Sequence, residues 1–164
     1  MTLRLAITLA LFLAAGLPAC AACKQELAVY SDKAKTATLE FVPHDGEAVT
    51  VTNRFRLVAG DKVIEGFVQW SGAPAPRPYG MLTDQCPDGD VTGEELEACT
   101  VWQGAIYAVG SDGAVSLLPG QGEDAAQALV LSDLAWSMSQ HPAYAETKLS
   151  EPPFEAFTLS GCQE

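Results

Sequence analysis

The sequence predicts a β-rich α+β domain: an antiparallel meander forming a small sandwich or partly closed barrel, with one helix in the C-terminal half and two disulfides. Three observations predict it. Successive stretches alternate apolar and polar residues with a period of two. Short turn sequences join them. Four cysteines remain downstream of an N-terminal stretch that reads as an export signal.

That signal comes first in the chain. Arg4 precedes an uncharged run, 5–17, of Leu and Ala, broken by Gly16 and Pro18 and followed by small residues. The run is about 13 residues, short of the ~20 that span a bilayer, so residues 1–21 are expected to be a cleaved signal peptide, cut at 19, 21 or 22. Two processing routes fit. Ala19-Cys20-Ala21 suits signal peptidase, whereas Leu17-Pro18-Ala19-Cys20 resembles a bacterial lipobox except at Pro18, which would make Cys20 a lipidation site. Either route leaves Cys23, Cys86, Cys99 and Cys162, an even set in an exported chain. Four cysteines allow three pairings. Cys86–Cys99, closing a local loop, and Cys23–Cys162, tying the two ends, are the expected pair. The expected location is periplasmic or secreted, membrane-anchored if Cys20 is lipidated. A single globular domain is expected over 23–162, and no later segment is apolar enough to span a membrane.

Strands dominate the first two-thirds. In 36–42, Ala37, Leu39 and Phe41 share one face and Thr36, Thr38 and Glu40 the other. In 49–58, Val51, Phe55 and Leu57 lie opposite Thr50, Thr52, Arg54 and Arg56. His44-Asp45-Gly46 supplies the turn between them, and Gly60-Asp61 makes a two-residue hairpin into a third strand, 63–70. Residues 73–78, Ala-Pro-Ala-Pro-Arg-Pro, lack amide donors at alternate positions and read as a stiff surface loop. Residues 100–109 and 114–118 form a second hairpin around Ser111-Asp112-Gly113. The helix falls in 123–140, with Leu131, Leu134, Ala135 and Met138 on one face; alternatively 128–131 is a strand and Ser132 or Asp133 caps a shorter helix. Pro142 ends it, and a last strand, 154–159, leads to Cys162.

Charge narrows the function classes. There are 21 acidic against 9 basic residues, a net charge of −12. Nucleic acid and anionic lipid both demand the opposite sign, while a cationic partner is allowed. Asp88, Asp90, Thr92 and Glu94 are candidate calcium ligands, since Asp88-x-Asp90-x-Thr92-Gly93 matches the first half of a calcium loop. The match then fails, because the twelfth position holds Cys99 instead of a bidentate Glu. A Thr92–Glu95 capping box for a short helix explains the same residues better, so no cofactor is expected. Trp70, Trp102 and Trp136 either line a ligand groove or pack in the core. Arg54 and Arg56 share a strand face that suits an anionic ligand. His44 and His141, the only histidines, read as surface residues, and the chain has no GxSxG elbow, HExxH helix or phosphate-cradling glycine loop. The expected function is a non-enzymatic envelope domain that binds a protein or a cell-wall component. A periplasmic small-ligand or metal-binding module is the alternative, and an enzyme ranks third.

Overall fold

The computed structural model describes residues 22–45, 50–72, 74–89 and 92–164. The signal, Cys20, Gly46, Val49, Ala73 and Asp90 lie outside the described residues. Among the described residues nine strands are formed: β1 (Ala28–Asp32), β2 (Ala37–Val42), β3 (Val51–Ala59), β4 (Lys62–Trp70), β5 (Pro78–Thr83), β6 (Thr100–Val109), β7 (Val115–Leu117), β8 (Ala128–Leu131) and β9 (Ala156–Cys162). Three helices accompany them: α1 (Gly93–Cys99), α2 (Leu134–Gln140) and α3 (Ala143–Glu146).

The meander β1 to β6 is continuous and antiparallel, and the sheet does not stop there. β6 also pairs with β8, β8 with β9, and β9 with β1. Eight strands therefore close into an antiparallel barrel, a more specific architecture than the expected sandwich or partly closed barrel. Closure rests on the length of β6. Its first half pairs with β5, from Thr83↔Thr100 to Tyr79↔Ala105. Its second half pairs with β8 on the opposite edge, from Ile106↔Leu131 to Val109↔Ala128. Such a stagger is what a tilted closed sheet requires. β7 hairpins onto the end of β6 outside the closed ring.

The alternation seen in the sequence becomes an inside and an outside. Leu39, Phe41, Phe55, Leu57, Ile64 and Val68 are buried within, while Glu40, Arg54, Arg56 and Glu65 point outward. A barrel apolar inside and charged outside is the reverse of a membrane-spanning one. No helix among the described residues is long and apolar enough to cross a membrane.

The interior is filled by aromatic side chains. Trp102, Tyr30, Phe41, Phe55 and Phe157 are each under 2% exposed. Tyr30 meets Phe41 edge-on at 5.8 Å, and Phe41 stacks on Phe55 at 5.6 Å. Glycines on the same and neighbouring strands make the room. A Cβ on Gly66 would lie 2.7 Å from the Phe55 ring, one on Gly80 2.8 Å from the Trp102 indole, and one on Gly104, two residues along β6, also 2.8 Å from that indole. At Gly60 the reason is the backbone instead. Its φ of +57° makes the β3–β4 turn, and a side chain there would strike the Thr147 carbonyl.

Both disulfides pair as the cysteine positions suggested. Cys23–Cys162 ties the chain ahead of β1 to the end of β9, and Cys86–Cys99 anchors α1. Residues 128–131 are a strand, so the shorter of the two helix readings is the one adopted. Its expected cap is absent, however. Asp133 precedes α2 at φ 58° without a side-chain cap bond. The Ser132 hydroxyl turns instead to β6, accepting from the Ala105 amide at 3.1 Å. The C-terminal strand is also displaced, since Phe154 stays exposed ahead of β9.

Tyr30 carries a pH signature. Its hydroxyl donates to Gln25 Oε1 at 2.9 Å, and burial pushes its pKa up to about 12. Between pH 10 and 12 the unfolded chain loses this proton while the folded chain keeps it, so stability falls as pH rises through that window. The expected loss from this residue is about 2–3 kcal/mol at the upper end. Urea titrations from pH 9 to 11.5 check it: the Tyr30→Phe protein, less stable at pH 9, shows a visibly flatter alkaline decline. Parallel declines would contradict it.

Candidate functional site

The barrel interior is lined by buried side chains, and two grooves open on the outer surface. The first, about 660 Å³, runs between α1 and α2 above β5 and β6. Thr92 starts α1 with a capping box: its hydroxyl accepts from the Glu95 amide at 3.3 Å, and its own amide donates to Glu95 Oε2 at 2.8 Å. The Thr92 amide and hydroxyl hold the Glu95 carboxyl below the usual carboxylate range. The Cys86–Cys99 bond fixes the other end of α1.

Across the groove, α2 buries Leu134 and Met138 and turns Trp136 outward at 69% exposure. Met81, Leu96 and Val101 continue the apolar floor, and Gln103, Gln140 and His141 add polar edges. His141 is positioned by α3. Its Nδ1 accepts from the Ala143 amide at 3.2 Å, which leaves Nε2 facing the Ala98 carbonyl at 3.5 Å. Glu97 is the charged residue in the lining, which contains no Lys or Arg.

The second groove, about 560 Å³, opens where β3 and β4 meet the loop after β7. Trp70, at the end of β4, stands 45% exposed on its wall. A bulge between Val51 and Asn53 interrupts the β3–β4 register, and Asn53, buried in the floor, donates its amide to the Pro119 carbonyl at 3.2 Å. Gln121 clamps His44 at the rim: its side-chain carbonyl accepts from the His44 amide and its side-chain amide donates to the His44 carbonyl, both at 3.0 Å. His44 Nε2 lies 3.1 Å from the Thr52 carbonyl. Asp45 and Glu123 complete the lining.

A charged network lies apart from both. Lys62, largely covered, pairs with Asp84 at 2.9 Å and Glu146 at 2.7 Å. Hydrogen bonds to Glu146 and then Asp84 raise its pKa above the ordinary lysine value. All three groups are engaged in joining β4, the loop after β5, and α3.

The residues singled out in the sequence separate. Trp102, proposed as a ligand residue, is 1% exposed, with its Nε1 bonded to the Ser132 carbonyl at 2.7 Å. Its indole is core and offers no stacking face. Core packing is equally wrong as a description of Trp70 and Trp136, which are exposed. Arg56 pairs with Glu40 at 3.5 Å across β2 and β3. Arg54 lies with His44 and Asp45 in a hollow beside the Trp70 groove. Of the four calcium candidates, Thr92 is engaged in the capping box, Asp88 and Glu94 are exposed, and Asp90 lies outside the described residues. Among the described residues, no three His, Cys, Asp or Glu converge as a metal site. Asn53 and Gln121 escaped the sequence reading, since isolated amides carry no motif. Comparison with protein-family models, with curated proteins and with solved structures gives no match.

Proposed function

We propose that the protein is an exported, non-enzymatic binding domain of the cell envelope, and that the α1–α2 groove receives its partner, a protein or a cell-wall component bearing positive charge. One observation carries the reading. The barrel interior is packed solid, while Trp136, a residue type that drives binding interfaces, stands 69% exposed in a groove beside the acidic helix α1. A disulfide and a capping box brace that helix, and a preformed wall lowers the ordering cost of binding. The two disulfides suit an oxidising compartment. The side chains of His141, Lys62 and Glu95 are held in structural contacts, which favours binding over catalysis.

The test is a photo-crosslinking residue placed at position 136 in living cells, with position 31 on the opposite barrel wall as control, alongside cosedimentation of the purified protein with isolated cell walls. The expected result is a discrete adduct from 136 and none from 31, or cosedimentation that Trp136→Ala reduces about tenfold, a plausible cost for one interface aromatic, and that weakens with added salt. Absence of both an adduct and cosedimentation would overturn the reading.

A further inference from the structure

We infer that the Trp70 groove is a saccharide-binding subsite, and that its ligand is a neutral or N-acetylated amino-sugar oligosaccharide. The inference rests on the protein being a binding domain, but it uses a different groove, so the two readings fail separately.

A pyranose ring has an unusual surface. One face is a patch of C–H bonds, and the rim is a circle of hydroxyls that each donate and accept. A complementary site needs an exposed aromatic face for the first and planar amides or carboxylates for the second. The Trp70 groove has both. Trp70 presents an indole at 45% exposure, and its nitrogen leaves a polar tip on an otherwise apolar plate. The lining also holds Asp45 and Glu123, with Gln121 at the rim and Asn53 in the floor; each side-chain amide keeps one N–H beyond its bond to the His44 or Pro119 carbonyl. At about 560 Å³ the groove falls within the range of about 300–1,000 Å³ usual for small-ligand sites.

The groove is also built rather than incidental. The reciprocal Gln121–His44 bonds, both 3.0 Å, tie His44, two residues beyond β2, to the loop after β7. Glu123 Oε2 accepts from the Gly120 amide at 2.6 Å, and Glu26 Oε2 from the Gly122 amide at 2.7 Å, fixing that loop from below. Asn53 is held by the Pro119 carbonyl and the β3 bulge. A rim fixed in this way orients its polar groups before a ligand arrives, which is the condition for recognising hydroxyls against the competition of water.

Charge selects among sugars. The lining contains Asp45 and Glu123 and no Lys or Arg. Uronic acids and sugar phosphates are disfavoured, whereas neutral and N-acetylated sugars are accepted. Arg54 lies with Pro43, His44 and Asp45 in the adjoining hollow.

The experiment uses the full oxidised domain, titrated with chitotetraose, cellotetraose and a tetragalacturonate and followed by calorimetry and tryptophan fluorescence. Saturable binding of chitotetraose or cellotetraose in the micromolar to millimolar range, weakened at least tenfold by Trp70→Ala and less by Trp70→Phe, is the expected outcome. Trp136→Ala leaves this binding unchanged and so separates it from the α1–α2 groove. Trp70 sits on the surface, and circular dichroism melting of Trp70→Ala confirms the fold. The inference is overturned by the absence of saturable binding of either neutral sugar, by stronger binding of the galacturonate, or by equal affinity in the folded Trp70→Ala protein.

Discussion

Trp102→Ala lowers the unfolding free energy by about 3–5 kcal/mol, the range for removing a large buried aromatic. The effect is large because two terms act together. The indole fills the space between β5 and β6 that Gly80 and Gly104 leave open, with ring atoms placed where a Cβ on either glycine would come within 2.8 Å. Without it, a cavity opens between strands whose pairing closes the barrel. Its Nε1 also satisfies the Ser132 carbonyl at 2.7 Å, in the segment that leads from β8 into α2. Losing that donor leaves a part-buried carbonyl without its partner. Thermal unfolding monitored by near-ultraviolet circular dichroism is expected to shift downward by roughly 10–20 °C. A coupling measurement sharpens the test. Gly80→Ala alone overpacks the site, against Ile106 Cδ1 at 2.6 Å as well as the indole, and costs about 1–3 kcal/mol, whereas in the Trp102→Ala background the end of the Ile106 side chain can shift into the vacated space and the same methyl costs less. Strict additivity of the two substitutions would contradict the fit of indole to glycine, and a loss below about 1 kcal/mol for Trp102→Ala would contradict its role in the core.

The same residues show what a sequence conceals. Strands β2, β3 and β4 are legible because each buries one face, so the period of two is written into Leu39-x-Phe41, Phe55-x-Leu57 and Ile64-x-Gly66-x-Val68. Strand β5 is hidden for a physical reason. It begins at Pro78 behind a proline-rich stretch and places Gly80 at an inward position, where the volume is supplied by Trp102 of the neighbouring strand. A local pattern cannot report a side chain lent from another strand. β1 is hidden by its length, five residues whose partners lie on β2 and β9. Closure itself depends on β6 changing partners halfway along, a relation between distant segments.

The candidate site follows the same rule. The capping box of α1 is local and readable. The two tryptophans that mark the grooves, Trp70 and Trp136, differ from Trp102 only in the direction they face. Trp70 ends its strand, and Trp136 sits two residues from buried Leu134 and Met138, on the opposite side of α2. Asn53 shares the inward phase of Phe55 and Leu57, so alternation alone places it inside; what the sequence does not show is the Pro119 carbonyl that holds a polar side chain there.

Replacing Cys23 and Cys162 together by serine is expected to remove up to about 5 kcal/mol of stability. The bond joins residues separated by 139 positions, and in the chain-entropy treatment a loop that long restricts the unfolded ensemble more than the 13-position Cys86–Cys99 loop, for which about 3 kcal/mol is expected. The folded structure gives a second reason to expect a large effect. Barrel closure at β1–β9 is made between the first and last strands of the described residues, with Ala28 opposite Cys162 and the Gln163 amide bonded to the Leu27 carbonyl at 2.8 Å. Terminal strands fray first when nothing holds them, and this seam carries a bulge between Val29 and Tyr30 that already breaks its register. The disulfide lies at the end of the seam and prevents that opening. Hydrogen exchange in the double-serine protein should therefore show β1 and β9 amides losing protection ahead of β3 and β4, while urea unfolding reports the global loss. Uniform exchange, with less than about 1 kcal/mol lost overall, would mean that strand pairing alone closes the barrel and that the unfolded chain already keeps these two segments close.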